Sequence, residues 1–340
     1  MLAAEITLDA ALRDLDSERE HYRHQAVRNL APALLEELGV PGPHWRATAE
    51  HARGEAVLRA LLDRLGEDHV APLRGLAATG LGMLGEPEAL DHIEPWLELS
   101  GDDEDEGYLR ECAVVTASFL GKAAADADAA PELRARVDQV LTKALQSPNP
   151  ELRFQAGLAL VELRGDAAEP ALVEALKSES DERVQEGLVD ALAHLDPPGE
   201  EACDLLEGIV QGENGWGSLG FMAAKTLAAA RRTSARPRLL DGLELRHERD
   251  DALEYLAALG RADAADIERV QQLAKRMLLP GVTRVRAAYA LARMAADGAD
   301  NPGLKLLERL RWHPRAAVRE AVNDAFKNLE TLATREQNAG

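Results

Sequence analysis

Histidines and carboxylates are the side chains whose spacing could support metal chemistry in this sequence. His21 and His24 stand three residues apart and would share one face of a helix. Neither has a Cys or further His nearby to complete a tetrahedral site, so a solvated polar face is favoured over a metal. His247 and Glu248 form a single His-Glu pair, and one pair does not make a site. No metal and no cofactor are therefore predicted.

Two further stretches carry potential ligands. His44, His51 and His69 surround the Pro-containing segment VPGPHWRATAEHARG and would converge only if that segment folded back. The acidic run Asp102 to Glu106 lacks the alternating ligands and central Gly of a calcium loop. We interpret it as a solvated acidic loop.

Motifs of known catalytic chemistry are missing from the sequence. It has no Ser-His-Asp order, no phosphate-binding P-loop and no H-E-x-x-H helix. The glycines from Gly80 to Gly85 follow a helical pattern and no strand, so they indicate a helix end. The sequence thus predicts no catalytic residues, and we expect that the protein is not an enzyme.

Tryptophans and arginines at turns are the better candidates for contacting a partner. Trp45, Trp216 and Trp312 fall in or beside turns, whereas Trp96 has core spacing and should be buried. Trp is enriched at the hot spots of protein interfaces. Trp216 stands between two glycines, and the favoured role for it is capping the local core at a weak repeat. The candidate partner-binding residues are Trp45, Trp216, Trp312, Arg311 and Arg315.

Basic residues cluster in two places, where they could dock an acidic partner. The alternative is that these are ordinary turn and repeat arginines. The first cluster comprises Arg231, Arg232, Arg236 and Arg238, and the second comprises Lys305, Arg309, Arg311, Arg315 and Arg319.

The elements that position these residues follow one recurring pattern. Between Ser147 and Gly165, a Pro-rich turn precedes a helix with Arg153 near its start and Ala or Leu at offsets of three, six, seven and ten. The same pattern recurs roughly 35 residues apart in most cases, the range of helix-pair arrays. Its leading positions are Arg23, Arg74, Arg110, Arg153, Gln185, Gly220, Arg249, Arg286 and Arg319.

This pattern resembles the HEAT-repeat family, including its phycobilin-lyase-type variants. The residues that carry the resemblance are Glu151-Leu152-Arg153, Arg183-Val184-Gln185, Arg284-Val285-Arg286 and Ala317-Val318-Arg319. The resemblance implies two antiparallel helices per unit, with the Arg of the second helix bonded to carbonyl or acidic groups at neighbouring turns. Gly220 departs from the pattern, which predicts irregular packing there. Tetratricopeptide repeats, the main structural rival, are disfavoured because their W-x₂-L-G-x₂-Y signature is missing.

Composition supports a helical array and narrows the classes of partner that the protein could bind. Aromatic residues are 4% of the 340, so the core must be mostly Ala and Leu. The formal charge of −21 predicts repulsion from nucleic acids and anionic membranes. Cys112 and Cys203 have apolar contexts typical of buried free thiols in a reducing compartment. With no signal-peptide pattern at the N-terminus, we expect a cytoplasmic protein.

These observations predict an all-α, right-handed solenoid of about nine antiparallel helix pairs, forming a single domain over residues 1–332, with a frayed tail at 333–340. The favoured function is a non-catalytic scaffold or adaptor that binds another protein on the concave face, lined by the second helices. The alternatives are a lyase-type or cofactor-handling enzyme and a HEAT-like DNA-repair protein. The sequence leaves the oligomeric state and the partner's identity open.

Overall fold

A computed structural model describes residues 4–67, 70–99, 103–125, 131–276, 278–296, 298 and 300–338. These residues form helices joined by short turns, with no strand among them, which confirms the predicted all-α class. Contacts between Cα atoms divide the chain into an N-terminal unit, Met1–Leu195, and a C-terminal unit, Asp196–Gly340. The assignment of residues 1–332 to one domain and the right-handed sense of the array stay predictions.

The N-terminal unit contains five helix pairs within the described residues, and the short helix α3 lies in the connection between the first two. The bounds are α1 Leu8–Asp14, α2 Glu20–Leu38, α3 Ala47–Glu50, α4 Gly54–Glu67, α5 Ala71–Met83, α6 Ala89–Ile93, α7 Glu104–Ala125, α8 Pro131–Ala144, α9 Pro150–Arg164, α10 Glu169–Ser178 and α11 Glu182–Ala193. Two 3₁₀ turns, Glu94–Glu98 and Gly165–Ala168, extend the unit's first helices.

The C-terminal unit adds four pairs over its described residues, which brings the total to the predicted nine. The bounds are α12 Glu200–Gln211, α13 Ser218–Ala229, α14 Arg236–Gly242, α15 Arg249–Leu259, α16 Ala264–Lys275, α17 Gly281–Met294, α18 Pro302–Leu310 and α19 Ala316–Asn338. Short 3₁₀ turns at Glu213–Trp216 and Thr233–Ala235 precede α13 and α14. Helix α19 continues beyond residue 333, where the sequence analysis placed the start of the tail.

Each leading position of the repeat lies in the second helix of its pair, as predicted. Second helices pack on second helices within each unit, as α5 does on α7 and α15 on α17. The largest fully buried side chains are almost all leucines, such as Leu81 and Leu120, with alanines between them. Small and branched aliphatic residues therefore let the helices approach closely, as the low aromatic content indicated.

The acidic loop predicted at Asp102 to Glu106 is wrong for three of its four described residues. Glu104, Asp105 and Glu106 form the first turn of α7, and Asp102 lies outside the described residues. Carboxylates at a helix N-terminus are stabilised by the partial positive charge of the unsatisfied amides, and this offsets the repulsion among them. No described helix is long and apolar enough to cross a membrane.

Candidate interaction surfaces

The repeat arginines fasten the turns that precede the second helices. Arg153 donates from Nη1 to the carbonyl oxygens of Ser147 and Pro148, at 2.8 and 3.1 Å. These acceptors lie six and five residues before it, where the turn leaves carbonyls outside the helical ladder. The same contacts at i−6 and i−5 recur at Arg23, Arg249 and Arg319. Gln185 reproduces the first of them, with its amide 2.8 Å from the Glu179 carbonyl.

Three other repeat arginines make different contacts. Arg110 donates to the Leu99 carbonyl oxygen at 2.6 Å, and Arg286 pairs with Asp250 at 2.7 Å. Arg74 lies over the ring of Trp96, 5.4 Å from its centroid. Trp96 is buried, as its spacing predicted.

Arg153 also joins its own pair to the next one. Its guanidinium makes two hydrogen bonds to the Glu179 carboxylate, at 2.6 and 2.9 Å. The Glu179 side chain is only 4% exposed. The guanidinium, together with the amides of Ser180 and Asp181, lowers the pKa of Glu179. Arg153 is therefore a structural residue that links adjacent repeats.

The turn before α13 is built differently, because Gly220 occupies the position of the repeat Arg. A Cβ placed on Gly220 would lie 2.0 Å from the Gly215 carbonyl oxygen, so the loop lies directly against the helix. The carbonyls of this loop are instead bound by Arg238 of α14. Its Nε donates to the Gly215 oxygen at 2.8 Å, and Nη2 donates to the Gly217 oxygen at 3.1 Å. At this repeat, where irregular packing was predicted, Arg238 takes the role that the repeat Arg has elsewhere.

Arg238 is held by a buried carboxylate from the next turn. Its Nη1 and Nη2 each lie 2.8 Å from a Glu248 oxygen, and both side chains are no more than 6% exposed. The guanidinium also lies 4.9 Å from the ring centroid of Phe221. Arg238 therefore donates hydrogen bonds to the loop carbonyls, pairs with a carboxylate and lies over an aromatic ring.

The first predicted basic cluster is consequently not an exposed docking patch. Arg236 and Arg238 are 7% and 4% exposed, and Arg236 donates to the Arg261 carbonyl oxygen at 2.8 Å. Arg232 pairs with Glu200. The sequence could not separate surface arginines from these, because buried partners came from distant turns.

Trp216 is 71% exposed, so the favoured core-capping role is wrong. Its backbone is fixed while its ring projects from the loop, since Arg238 binds the carbonyls on either side of it. Trp312, in the turn before α19, is 88% exposed. Beside it, Arg311 pairs with Glu308 at 3.2 Å and lies over Phe326, while the Arg315 side chain is exposed.

Sequence reasoning missed a further exposed side chain in the C-terminal unit. Leu278 is 97% exposed, whereas the adjacent Leu279 is 8% exposed. Helix α16 ends at Lys275, so Leu278 falls in the turn and not in the helical pattern. Pro280, two residues later, was the available signal that the helix had already ended.

Trp45 lies half-buried in the loop between α2 and α4, beside a buried carboxylate. Glu86 accepts a hydrogen bond of 2.5 Å from the Thr48 hydroxyl, and Arg46 lies 3.7 Å from its other oxygen. Burial raises the pKa of Glu86 in spite of these partners. Gly85 has φ +66° and a Cβ there would meet His44 and Trp45 backbone atoms, so the loop is tightly applied.

The second helices line a groove in each unit. In the N-terminal unit α2, α5 and α7 contribute Pro32, Leu35, Met83 and Phe119 to a groove of about 720 Å³, which the loop Gly39–Pro43 closes at one side. Of its described lining residues only Glu36 and Lys122 are ionisable. In the C-terminal unit α13, α15, α17 and α19 line a groove of about 520 Å³ that includes Arg286, Tyr289 and Arg293. Burial raises the pKa of Tyr289.

Two of the histidines around the loop between α2 and α4 each pair with a single carboxylate. His44 lies 3.1 Å from Glu50, and His51 lies 3.0 Å from Glu37. In the described part of the chain no three His, Cys, Asp or Glu side chains are grouped so as to hold a metal. His69 lies outside that part. Cys112 and Cys203 are buried free thiols, as predicted.

The fold defines an all-α helical-repeat protein. Residues 137–217 match the family model for HEAT repeats, which confirms the resemblance drawn from the turn and arginine pattern. The match shows HEAT repeats in the stretch from within α8 to the residue before α13.

Similar solved structures include the complex of CpcE and CpcF of phycocyanin lyase from Nostoc sp. PCC7120. The sequences are 17% identical, and the alignment covers 91% of this chain and 97% of that chain, with a TM-score of 0.33. A likeness this distant bears on no functional assignment. No curated protein matches the chain.

Proposed function

We propose that this protein is a non-catalytic scaffold that binds a partner protein on the surfaces formed by its second helices. The observation that carries the proposal is the apolar groove between α2, α5 and α7. Met83 and Phe119 offer it polarisable and aromatic surface, and the prolines of the adjoining loop stiffen its edge. A helix or extended segment of a partner could place one or two apolar side chains there.

Chemistry in this groove is disfavoured by its lining. General acid–base catalysis needs groups that exchange protons close to the reacting atoms. The described groove offers Glu36 and Lys122, and Lys122 is engaged by Glu162 at 2.8 Å. Both are rim residues with exposed side chains. Their placement suits partner recognition at the edge of an apolar contact.

Site-specific photocrosslinking in the native cell tests the proposal. A photoreactive amino acid replaces Phe119 in the groove, and the matched control replaces Ala135, an exposed residue of the first helix α8. We expect one partner to be crosslinked from position 119 and not from position 135. An additional Val40→Asp substitution, in the half-buried loop at the groove's edge, should reduce that product at least tenfold without changing the circular dichroism spectrum. Equal products from both positions, or none from 119, would contradict the groove as the binding surface.

A further inference from the structure

A second surface lies on turns of the C-terminal unit that contribute no lining residue to the groove between α13, α15, α17 and α19. It consists of the turn between α16 and α17 and the turn between α18 and α19, with three apolar side chains at least 38% exposed: Leu278, Val282 and Trp312. We call the described residues of these two turns, 275–276, 278–284 and 309–319, the basic turn patch. The name refers to their charge, because they contain seven Lys and Arg and neither Asp nor Glu.

The two turns are neighbours. A Cβ placed on Gly281 would lie 2.6 Å from Val318 Cγ2 and 3.6 Å from His313 Cε1, so the start of α17 touches the second turn. Beneath them Val285, Leu310 and Val318 belong to one buried cluster. Leu278 and Trp312 therefore project from turns that are anchored in a packed core.

Carboxylates pair with two of the arginines in the patch. Glu244 pairs with Arg276 at 2.7 Å, and Glu308 pairs with Arg311 at 3.2 Å. Arg284 and Arg319 donate to backbone carbonyls, which orient each guanidinium and leave its charge intact. Arg315 and Arg319 are exposed cations of the patch.

The net charge of −21 is unevenly distributed along the chain. Residues 1–195 contain 18 Lys and Arg against 38 Asp and Glu, whereas residues 196–340 contain 21 against 22. The two halves thus have formal charges of −20 and −1. At physiological salt, exposed charges farther away than about 8 Å are largely screened. The total charge predicts repulsion from anionic surfaces, but that prediction does not apply to the basic turn patch.

We propose that the basic turn patch docks on an anionic lipid bilayer. Leu278 and Trp312 enter the boundary between headgroups and acyl chains, and the arginines around them contact lipid phosphates. Trp is favoured at this depth, and stable peripheral binding requires apolar insertion together with a cationic surface. We favour a bilayer over an acidic protein because Leu278 and Trp312 project from the turns, 97% and 88% exposed.

Vesicle co-sedimentation of the full chain tests this proposal. We expect binding to phosphatidylcholine vesicles that contain phosphatidylglycerol and little binding to pure phosphatidylcholine. Each cation near such a surface contributes roughly fivefold to partitioning, so Arg315→Glu together with Arg319→Gln should lower it at least tenfold. Binding should also be lost at about 1 M salt, where the screening length falls to about 3 Å.

Apolar insertion has its own variant and matched control. Leu278→Asp with Trp312→Ala should lower partitioning at least tenfold, and both side chains are exposed enough to spare the fold. Trp216→Ala removes another largely exposed Trp, outside the patch, and should leave partitioning unchanged. Binding of the wild type that is absent, independent of phosphatidylglycerol, or equally weakened by Trp216→Ala would overturn the proposal. Thermal melts of each variant confirm that it remains folded.

Vesicle binding and the scaffold function fail independently. The crosslinking experiment reads out α7 of the N-terminal unit, and the vesicle experiment reads out two turns of the C-terminal unit. A chain that binds vesicles but yields no crosslink from position 119 would contradict only the proposed groove. The reverse result would overturn only membrane docking.

Discussion

The turn before α9 and the loop before α13 perform the same task with different arginines. In the first, Arg153 of the second helix binds the carbonyls of its own turn and reaches Glu179 of the next pair. In the second, Gly220 replaces that arginine, and Arg238 of the next pair reaches back to the loop and to Glu248. In both, one guanidinium joins a turn to a buried carboxylate.

The difference shows what the repeat position requires. Carbonyls between the two helices of a pair need donors, because neither helix supplies them. A side chain at position 220 would collide with the Gly215 carbonyl, so the loop can lie against α13 only with glycine there. The donor must then come from elsewhere. The same packing leaves Trp216 projecting from the loop.

Removing Arg238, which takes the place of the repeat Arg, should have the largest effect on stability. Arg238→Met leaves Glu248 buried without its partner and removes the donors to the loop carbonyls. We expect a loss of about 3–5 kcal/mol in the free energy of unfolding, as for other broken buried ion pairs. Urea denaturation followed by circular dichroism measures it. Adding Glu248→Gln should restore part of the loss, and a loss below about 1 kcal/mol would show that Arg238 is not the fastener.

A side chain at position 220 tests whether the close approach of the loop to α13 is the reason that glycine replaces arginine there. Gly220→Ala places a Cβ against a backbone oxygen, which must move, at an expected cost of about 2–3 kcal/mol. Gly208→Ala is the control, since that exposed residue in α12 has nothing within 4 Å of the added Cβ. It should stabilise by about 0.5–1 kcal/mol through helix propensity. Opposite signs in thermal or urea unfolding support the comparison, and equal changes contradict it.

Removing the regular fastener should cost less. Arg153→Met leaves Glu179 with its two backbone donors, so we expect a loss of about 1–2 kcal/mol at pH 7. The pKa of Glu179 is lowered in the folded state, so its contribution is present above the unfolded pKa and lost as pH falls through the folded one. The difference between wild type and variant should therefore shrink below about pH 4. A difference that persists in acid would mean that the ion pair contributes little.

The sequence predicted the parts of the fold that depend on local pattern. The leading positions, from Arg23 to Arg319, lie in second helices because apolar spacing and turn chemistry act within a few residues. The groove walls followed from the same assignment. The acidic run failed because Glu104 to Glu106 suit both a loop and a helix start, and spacing does not separate them.

The sequence did not predict which side chains of the candidate sites are exposed. Trp216 and Trp312 share a turn position, yet whether each ring caps the core or projects depends on how the loop packs. Leu278 and Leu279 are adjacent and chemically identical, and only one is buried. Both follow the end of α16 at Lys275, so the helical period no longer decides which of them is buried.

The sequence alone determined that this chain is an array of Ala- and Leu-rich helix pairs, and it identified the arginines that close the turns. Tertiary structure decided which arginines remain on the surface. Arg238 and Arg315 have similar sequence surroundings, but the first is buried against Glu248 and the second is exposed. Burial of a charge requires a partner brought by folding from another turn, and no local pattern records that partner.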